Sequence, residues 1–227
     1  MPTMETSRTE PRSFVVDDPQ KGVFLLDREA LVSEDVLRAE IKNIFAKCWI
    51  YVGHGSALKK KGDFQSRRVA GRPIIFARDS KGQVRCFFNT CRHRGALVCT
   101  ERHGNVRRFS CVYHGWIYNN DGSLARIPGD EAYIENFDTS GLGLKSPARF
   151  EQYRDFWFMC LDADVPALTD YLGKATDYID LVIEQSPSGK MEVLHGTQEY
   201  DVQANWKLMV ENSDADYHLP TTHSTSL

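Results

Sequence analysis

Two short pieces of this chain each pair a cysteine with a histidine. Cys91-x-His93 is the first and Cys111-x-x-His114 the second, with 17 residues between His93 and Cys111. Thiolate and imidazole are typical ligands of borderline and soft metals, so four of them at such short spacings read as a metal site. A further pair, His218-x4-His223, lies near the end of the sequence. On an unbroken helix these two would not share a face. Pro220 between them is expected to end the helix after His218 and let His223 fold back.

Three readings compete for the first four residues. Zinc accepts two Cys and two His in a tetrahedral site, but its motifs usually pair Cys with Cys and His with His. A [2Fe–2S] centre of the Rieske type takes two Cys on one iron and two His on the other. Two loops that each give one Cys and one His can straddle both irons. The third reading is plain packing with no metal. Gly95 and Gly115 follow the two pairs, and Pro128-Gly129 lies downstream. Glycines let the backbone come close to a cluster and donate N–H groups to its sulfurs. Neutral imidazoles carry less negative charge than thiolates, so such a centre relays electrons at a potential above that of an all-Cys cluster. His54 and His103 fall outside the pattern and read as ordinary residues.

The rest of the composition sets the frame. The chain has 227 residues, 41% hydrophobic and 26% charged, which is enough for a real core. A net charge of −3 gives no sign of a nucleic-acid binder. No apolar run approaches the roughly 20 residues that a membrane helix needs. The start, MPTMETSRTEPRSF, has no apolar core of a secretory signal. A cytoplasmic protein is expected, with its six cysteines as thiols or ligands rather than disulfides. Cys48, Cys86 and Cys160 sit in apolar runs and read as small buried hydrophobes, and Cys99 reads as packing too.

Elements must bring these residues together. Residues 1 to about 22 read as an extended or loose arm. SEDVLRAEIKNIFAKCW (33–49) has helical spacing of Val36, Leu37, Ile41, Ile44, Phe45 and Cys48, with Ser33 as N-cap. From 49 to 162 the runs WIYVG, FQSRRV, RPIIFAR, VRCFFNT, RRFSCVY, WIYN and FWFMCL predict short antiparallel strands. DSKG (79–82) and NNDG (119–122) are hairpin turn signals. The Cys/His pieces fall at strand ends, on two adjacent loops. Residues 166–185 return to helical periodicity, 191–204 read as a strand, and 205–218 as a helix.

The set CRHRG, CVYHGW, NWKLMVEN and Tyr217-His218-x4-His223 resembles the α-subunits of Rieske non-haem iron ring-hydroxylating oxygenases. GRPIIFARDSKGQVRCFFNTCRHRG and TQEYDVQANWKLMVENS look most like the benzoate and p-cumate dioxygenase branch. The resemblance covers about 22 to 227. It implies an α+β chain. An arm and helix (1–48) precede an antiparallel Rieske [2Fe–2S] domain (49–162) and the start of a helix-grip catalytic domain (163–227). It implies that Cys91 and Cys111 ligate one cluster iron and His93 and His114 the other. It implies that His218 and His223 are two ligands of a mononuclear Fe(II), the two-His part of a facial triad. Asn212 would lie near that iron, with Asp214 and Asp216 as candidate catalytic carboxylates. Trp116 would serve either packing or docking, beside a loop carrying Arg92 and Arg94. The partners implied are an NAD(P)H-dependent reductase or a ferredoxin, O2 and an aromatic substrate. A homotrimer, with or without β-subunits, is implied as well.

Two departures stand out. The family's carboxylate ligand comes from later in the chain than Leu227, so the sequence is expected to be a truncated, N-terminal piece. The family also places an Asp three residues before the first iron-binding His, where this chain has Ala215 between Asp214 and Asp216. A methyl group cannot bridge two imidazoles. The competing functional readings are a Rieske-type electron carrier without turnover and a structural zinc module. The substrate is open between an aromatic carboxylate and an aliphatic or N-methyl compound.

Overall fold

The computed structural model describes residues 13–135, 137–194, 200–214 and 219–222. The strands are β1 (Val15–Asp18), β2 (Val23–Leu26), β3 (Ile50–His54), β4 (Asp63–Val69), β5 (Arg72–Arg78), β6 (Val84–Phe88), β7 (His103–Asn105), β8 (Arg108–Ser110), β9 (Ile117–Asn119), β10 (Leu124–Arg126), β11 (Arg149–Tyr153) and β12 (Phe156–Cys160). The helices are α1 (Glu29–Val32), α2 (Glu34–Glu40), α3 (Leu168–Leu172), α4 (Ala175–Ile183), α5 (Trp206–Asp214) and α6 (Leu219–Thr222). The chain divides into two compact units, Ile41–Gly196 and the pair Met1–Glu40 with Thr197–Leu227.

Among the described residues, the larger unit holds three antiparallel sheets, in the strand orders β6-β5-β4-β7, β10-β9-β8 and β11-β12-β3. The run RPIIFAR explains β5. Its side chains alternate between two buried clusters, Ile75 and Ala77 in one, Ile74 and Phe76 in the other. A strand covered on both faces reads as a continuous apolar run rather than an alternating one. Cys86 and Phe87 on β6 divide in the same way. The turn DSKG closes the β5–β6 hairpin. The fully buried Asp79 carboxylate accepts N–H groups of Lys81 and Gln83, both at 2.8 Å, and pairs with Arg85. NNDG closes β9–β10 in the same manner, with the Gly122 N–H on the Asn119 carbonyl at 2.9 Å. Of the cysteines expected to be buried, Cys86, Cys99 and Cys160 are, whereas Cys48 is only half-buried; all six are free thiols.

In the smaller unit, Ser33 caps α2, with the Val36 N–H 3.4 Å from its Oγ. Glu40 at the end of α2 receives the Trp206 indole N–H at 2.8 Å and Lys207 Nζ at 2.5 Å. The Asn205 side-chain amide donates to the Leu31 carbonyl. The segment NWK is thus fastened to α1 and α2.

Several expectations are corrected. The loose arm becomes a hairpin from Val15 onward, because Pro19-Gln20-Lys21-Gly22 turns the chain and Gly22 takes a positive φ of 62°. The helix expected over 33–49 is α only through Glu40 and winds on as a π-helical turn, Ile41–Phe45. Its apolar stripe, Leu37, Ile41 and Ile44, stays exposed. The helix expected over 166–185 splits into α3 and α4 at Gly173, whose left-handed φ of 49° ends α3. The strand expected over 191–204 is absent from the described residues 191–194 and 200–204. Their backbone bonds elsewhere: the Val193 N–H goes to Ser56 Oγ and the Ala204 N–H to the Val202 carbonyl. Pro220 lies within α6, while His218 and His223, between which it was expected to end a helix, lie outside the described residues.

Candidate metal centre

The two Cys/His loops repeat one backbone plan. In the first, the Cys91 N–H donates to the Ala96 carbonyl at 2.8 Å and the Gly95 N–H to the Cys91 carbonyl at 2.9 Å. In the second, the Cys111 N–H donates to the Trp116 carbonyl at 2.8 Å and the Gly115 N–H to the Cys111 carbonyl at 3.0 Å. Each plan needs a left-handed residue at its fifth position, and Gly95 (φ 76°) and Gly115 (φ 70°) supply it. The first loop follows β6; the second joins β8 to β9.

The loops face one another with sulfur inside and imidazole outside. Cys91 is 4% exposed and Cys111 2%, both in the core cluster with Trp116 and Tyr118. His93 is half-buried and His114 exposed, their ring centroids 4.6 Å apart. The indole of Trp116 is buried and stacks on His93. Of the two roles open for Trp116, the structure gives packing. Among the described residues, no three His, Cys, Asp or Glu converge as they do around a single ion. A centre with two protein ligands on each of two irons needs no such triplet.

The residues fit a [2Fe–2S] centre on a direct observation. His93 Nδ1 is buried and makes no hydrogen bond, so a ring nitrogen beside the two thiol loops is left without a partner. Desolvation first, then His114 and Arg94, hold the His93 imidazole below its ordinary pKa. That favours the neutral form, the one that ligates metal.

Two residues bonded to the ligand loops escaped the sequence reading. The hydroxyl of the fully buried Tyr118 accepts the Arg92 N–H at 3.0 Å and lies 3.3 Å from Cys91 Sγ. Since it accepts from Arg92, its own hydrogen is free to point at the sulfur. Burial first, and then Cys91, push its pKa up, so it stays a donor. The alternation in WIY could have found it, because Trp116, just before β9, and Tyr118, on it, are both buried in one core cluster while Ile117 between them is not. The other residue is Asn89, buried at the root of the first loop.

The remaining candidates lie apart. His54 is buried with Nδ1 2.8 Å from Ser56 Oγ, and His103 is exposed on β7, as ordinary residues would be. Asn212 and Asp214 are exposed on the last turn of α5. Ala215, Asp216, His218 and His223 lie outside the described residues.

Comparison with known proteins gives the site its context. Residues 48–146 match the family described as Rieske [2Fe-2S] domain. Residues 191–227 match the family described as ring hydroxylating alpha subunit (catalytic domain). The chain is 38% identical over 214 residues to the toluate 1,2-dioxygenase subunit alpha of Pseudomonas putida, covering 93% of this chain and 47% of that protein. It is 38% identical over 206 residues to the anthranilate 1,2-dioxygenase large subunit of Acinetobacter baylyi, covering 90% of this chain and 44% of that one. The crystal structure of naphthalene 1,2-dioxygenase from Rhodococcus sp. bound to indole superposes with a TM-score of 0.83 at 34% identity, over 88% of this chain and 46% of its own. The chain therefore spans under half the length of each of these relatives. With a match to the Rieske [2Fe-2S] domain followed by a match to their catalytic domain, the chain is similar through both parts to Rieske-type ring-hydroxylating α-subunits, the toluate and anthranilate enzymes among them.

Proposed function

We propose that this chain is the electron-receiving part of a ring-hydroxylating dioxygenase α-subunit. Cys91 and Cys111 would hold one iron of the cluster, and His93 and His114 the other. His218 and His223 would hold a mononuclear Fe(II), with Asn212, Asp214 and Asp216 near it. When bound, the cluster supplies one-electron transfer and the mononuclear iron supplies oxygen activation. The proposed domain layout is an arm and helix at 1–48, the cluster domain at 49–162 and the start of the iron domain at 163–227.

The carrying observation is the pair of twin loops with buried thiols and adjacent imidazoles. The chain's own work there is positional. Core packing buries Cys91 and Cys111 away from water, while the imidazole side stays open. Leu97, Val112 and Tyr113 are exposed on the two loops, with the Tyr113 ring against His114 and Arg94 beside His93. A half-apolar, half-cationic rim suits a reductase or ferredoxin, the partner proposed here, and the same face suits a neighbouring subunit of a homotrimer. An aromatic carboxylate is the proposed substrate class, on the names of the toluate and anthranilate enzymes. A cytoplasmic location fits the free thiols, and no described helix is long and apolar enough to cross a membrane.

The test is a count of iron, acid-labile sulfide and zinc on protein purified without oxygen. About two irons with two sulfides per chain are expected from the cluster alone, and about three irons if the His218 and His223 site also fills. Zinc without sulfide overturns the reading. In a chain of the relatives' full length, His218→Ala or His223→Ala abolishes ring hydroxylation and leaves the cluster spectrum intact.

A further inference from the structure

The twin loops are closed at their necks in different ways. The second loop is closed by a ladder, since Ser110 pairs with Ile117 and Phe109 with Tyr118 as β8 returns in β9. The first loop has no such ladder. It leaves β6 at Phe88, and its far end at Val98 and Cys99 belongs to no strand. The side chain of Asn89 stands where the ladder would be. Its Oδ1 accepts the N–H groups of Val98 (3.0 Å) and Cys99 (2.9 Å). Its Nδ2 donates to the Cys99 carbonyl (2.6 Å) and to Ser66 Oγ on β4 (3.2 Å). Its backbone N–H donates to the Pro73 carbonyl on β5 (2.9 Å). The residue is 1% exposed, and a primary amide is the one side chain that can accept twice and donate twice in this way.

We propose that Asn89 is a positioning residue of the metal centre, the clasp that sets how Cys91 and His93 are presented. This inference rests on the [2Fe–2S] reading above. Metal ligands must sit within a few tenths of an ångström of their place. A ten-residue loop with an open neck cannot hold that tolerance. With the clasp shut, its two ends are tied to each other and to β4 and β5. The adjoining Cys91 then has one approach to the centre.

The test uses the whole chain, purified without oxygen, as the parent and as Asn89→Asp, Asn89→Ala and Asn120→Ala. Asn120 is the matched control. It is 2% exposed, and its side chain makes three hydrogen bonds against four for Asn89, to the Ser80 N–H and hydroxyl and to the Val106 carbonyl, just after β9. Asn89→Asp keeps the size and the acceptor but loses both donors. The expected result is parental far-UV dichroism with altered g-values of the reduced centre. Loss of iron to a chelator is about tenfold faster, the factor for about one buried hydrogen bond. Asn120→Ala lowers the melting temperature and leaves g-values and loss rate at parental values. Parental g-values and loss rate in the Asn89 variants overturn the proposal, and so does an equal change in Asn120→Ala. If Asn89→Ala fails to fold, Asn89→Asp decides; failure of both overturns it, because the residue then serves the fold and not the site. A parent that holds no iron and sulfide overturns the cluster reading itself, and the proposal with it.

Discussion

His93 and Trp116 lie ring upon ring, 3° from parallel with centroids 5.1 Å apart. One is a candidate ligand on the open side of the centre; the other is a buried wall of the core. The stack joins the two loops, since His93 belongs to the first and Trp116 closes the second. Trp116→Ala removes both the wall and the stack and is expected to cost about 3–5 kcal/mol. Trp116→Phe keeps a flat ring against His93 and is expected to cost about half that or less. Urea unfolding of the two variants gives the comparison. Equal losses would mean that the stack adds nothing beyond filling space.

The twin glycines are not equivalent. Both sit at positive φ, so an alanine at either is strained by about 1 kcal/mol. A Cβ on Gly95 meets only Thr90 Cγ2, at 4.0 Å, whereas a Cβ on Gly115 meets Pro128 Cγ at 3.1 Å. A proline ring is rigid and has no rotamer to turn away into. Gly115→Ala is therefore expected to cost about 2 kcal/mol and Gly95→Ala about 1. The order is what thermal melts should show. The reverse order would remove Pro128 from the wall of the second loop.

Tyr118→Phe tests the hydroxyl beside Cys91. A hydrogen bond donated to a ligand sulfur favours the more negative, reduced state of a cluster, so its loss lowers the midpoint potential. A bond of about 1 kcal/mol corresponds to a drop of about 40 mV, taking about 59 mV per tenfold change for one electron. A redox titration followed by visible dichroism reads it. An unchanged potential would mean that the hydroxyl hydrogen points away from Cys91.

The ligand loops were legible because their chemistry is local. Four ligand-type residues and two glycines in short order specify the turns directly. The strands of the larger unit were legible for a related reason: RPIIFAR and FWFMCL carry their burial in their own composition. What was missed depended on partners distant in sequence. Asn89 looks like any strand-end asparagine until Val98 and Cys99 are folded back onto it. The strand expected at 191–204 has the right residues, but a strand needs a neighbour, and Val193 bonds to Ser56 instead. The split of 166–185 could have been read at Gly173, where helical spacing of the apolar residues outweighed a terminator in plain sight.

Glu40 gives the prediction for the segment that leads towards His218. Its carboxylate holds Trp206 and Lys207 at the start of α5, and its side chain is 11% exposed. Burial alone would raise its pKa. The bonds from Lys207 and Trp206 outweigh that and hold it below the ordinary glutamate value of 4.5. A folded pKa below the unfolded one stabilises the protein above that range, and the gain is lost as pH falls through the folded value. Glu40→Gln keeps an acceptor for the indole but loses the charge opposite Lys207. At neutral pH it is expected to cost about 1–2 kcal/mol. The difference from the parent should then shrink as pH falls below 4.5 and vanish once the parent's Glu40 is protonated. Hydrogen exchange of the α5 amides across an acid series measures this where the anchor acts. A gap that stays constant into acid would show that shape, and not the charge of Glu40, fastens α5.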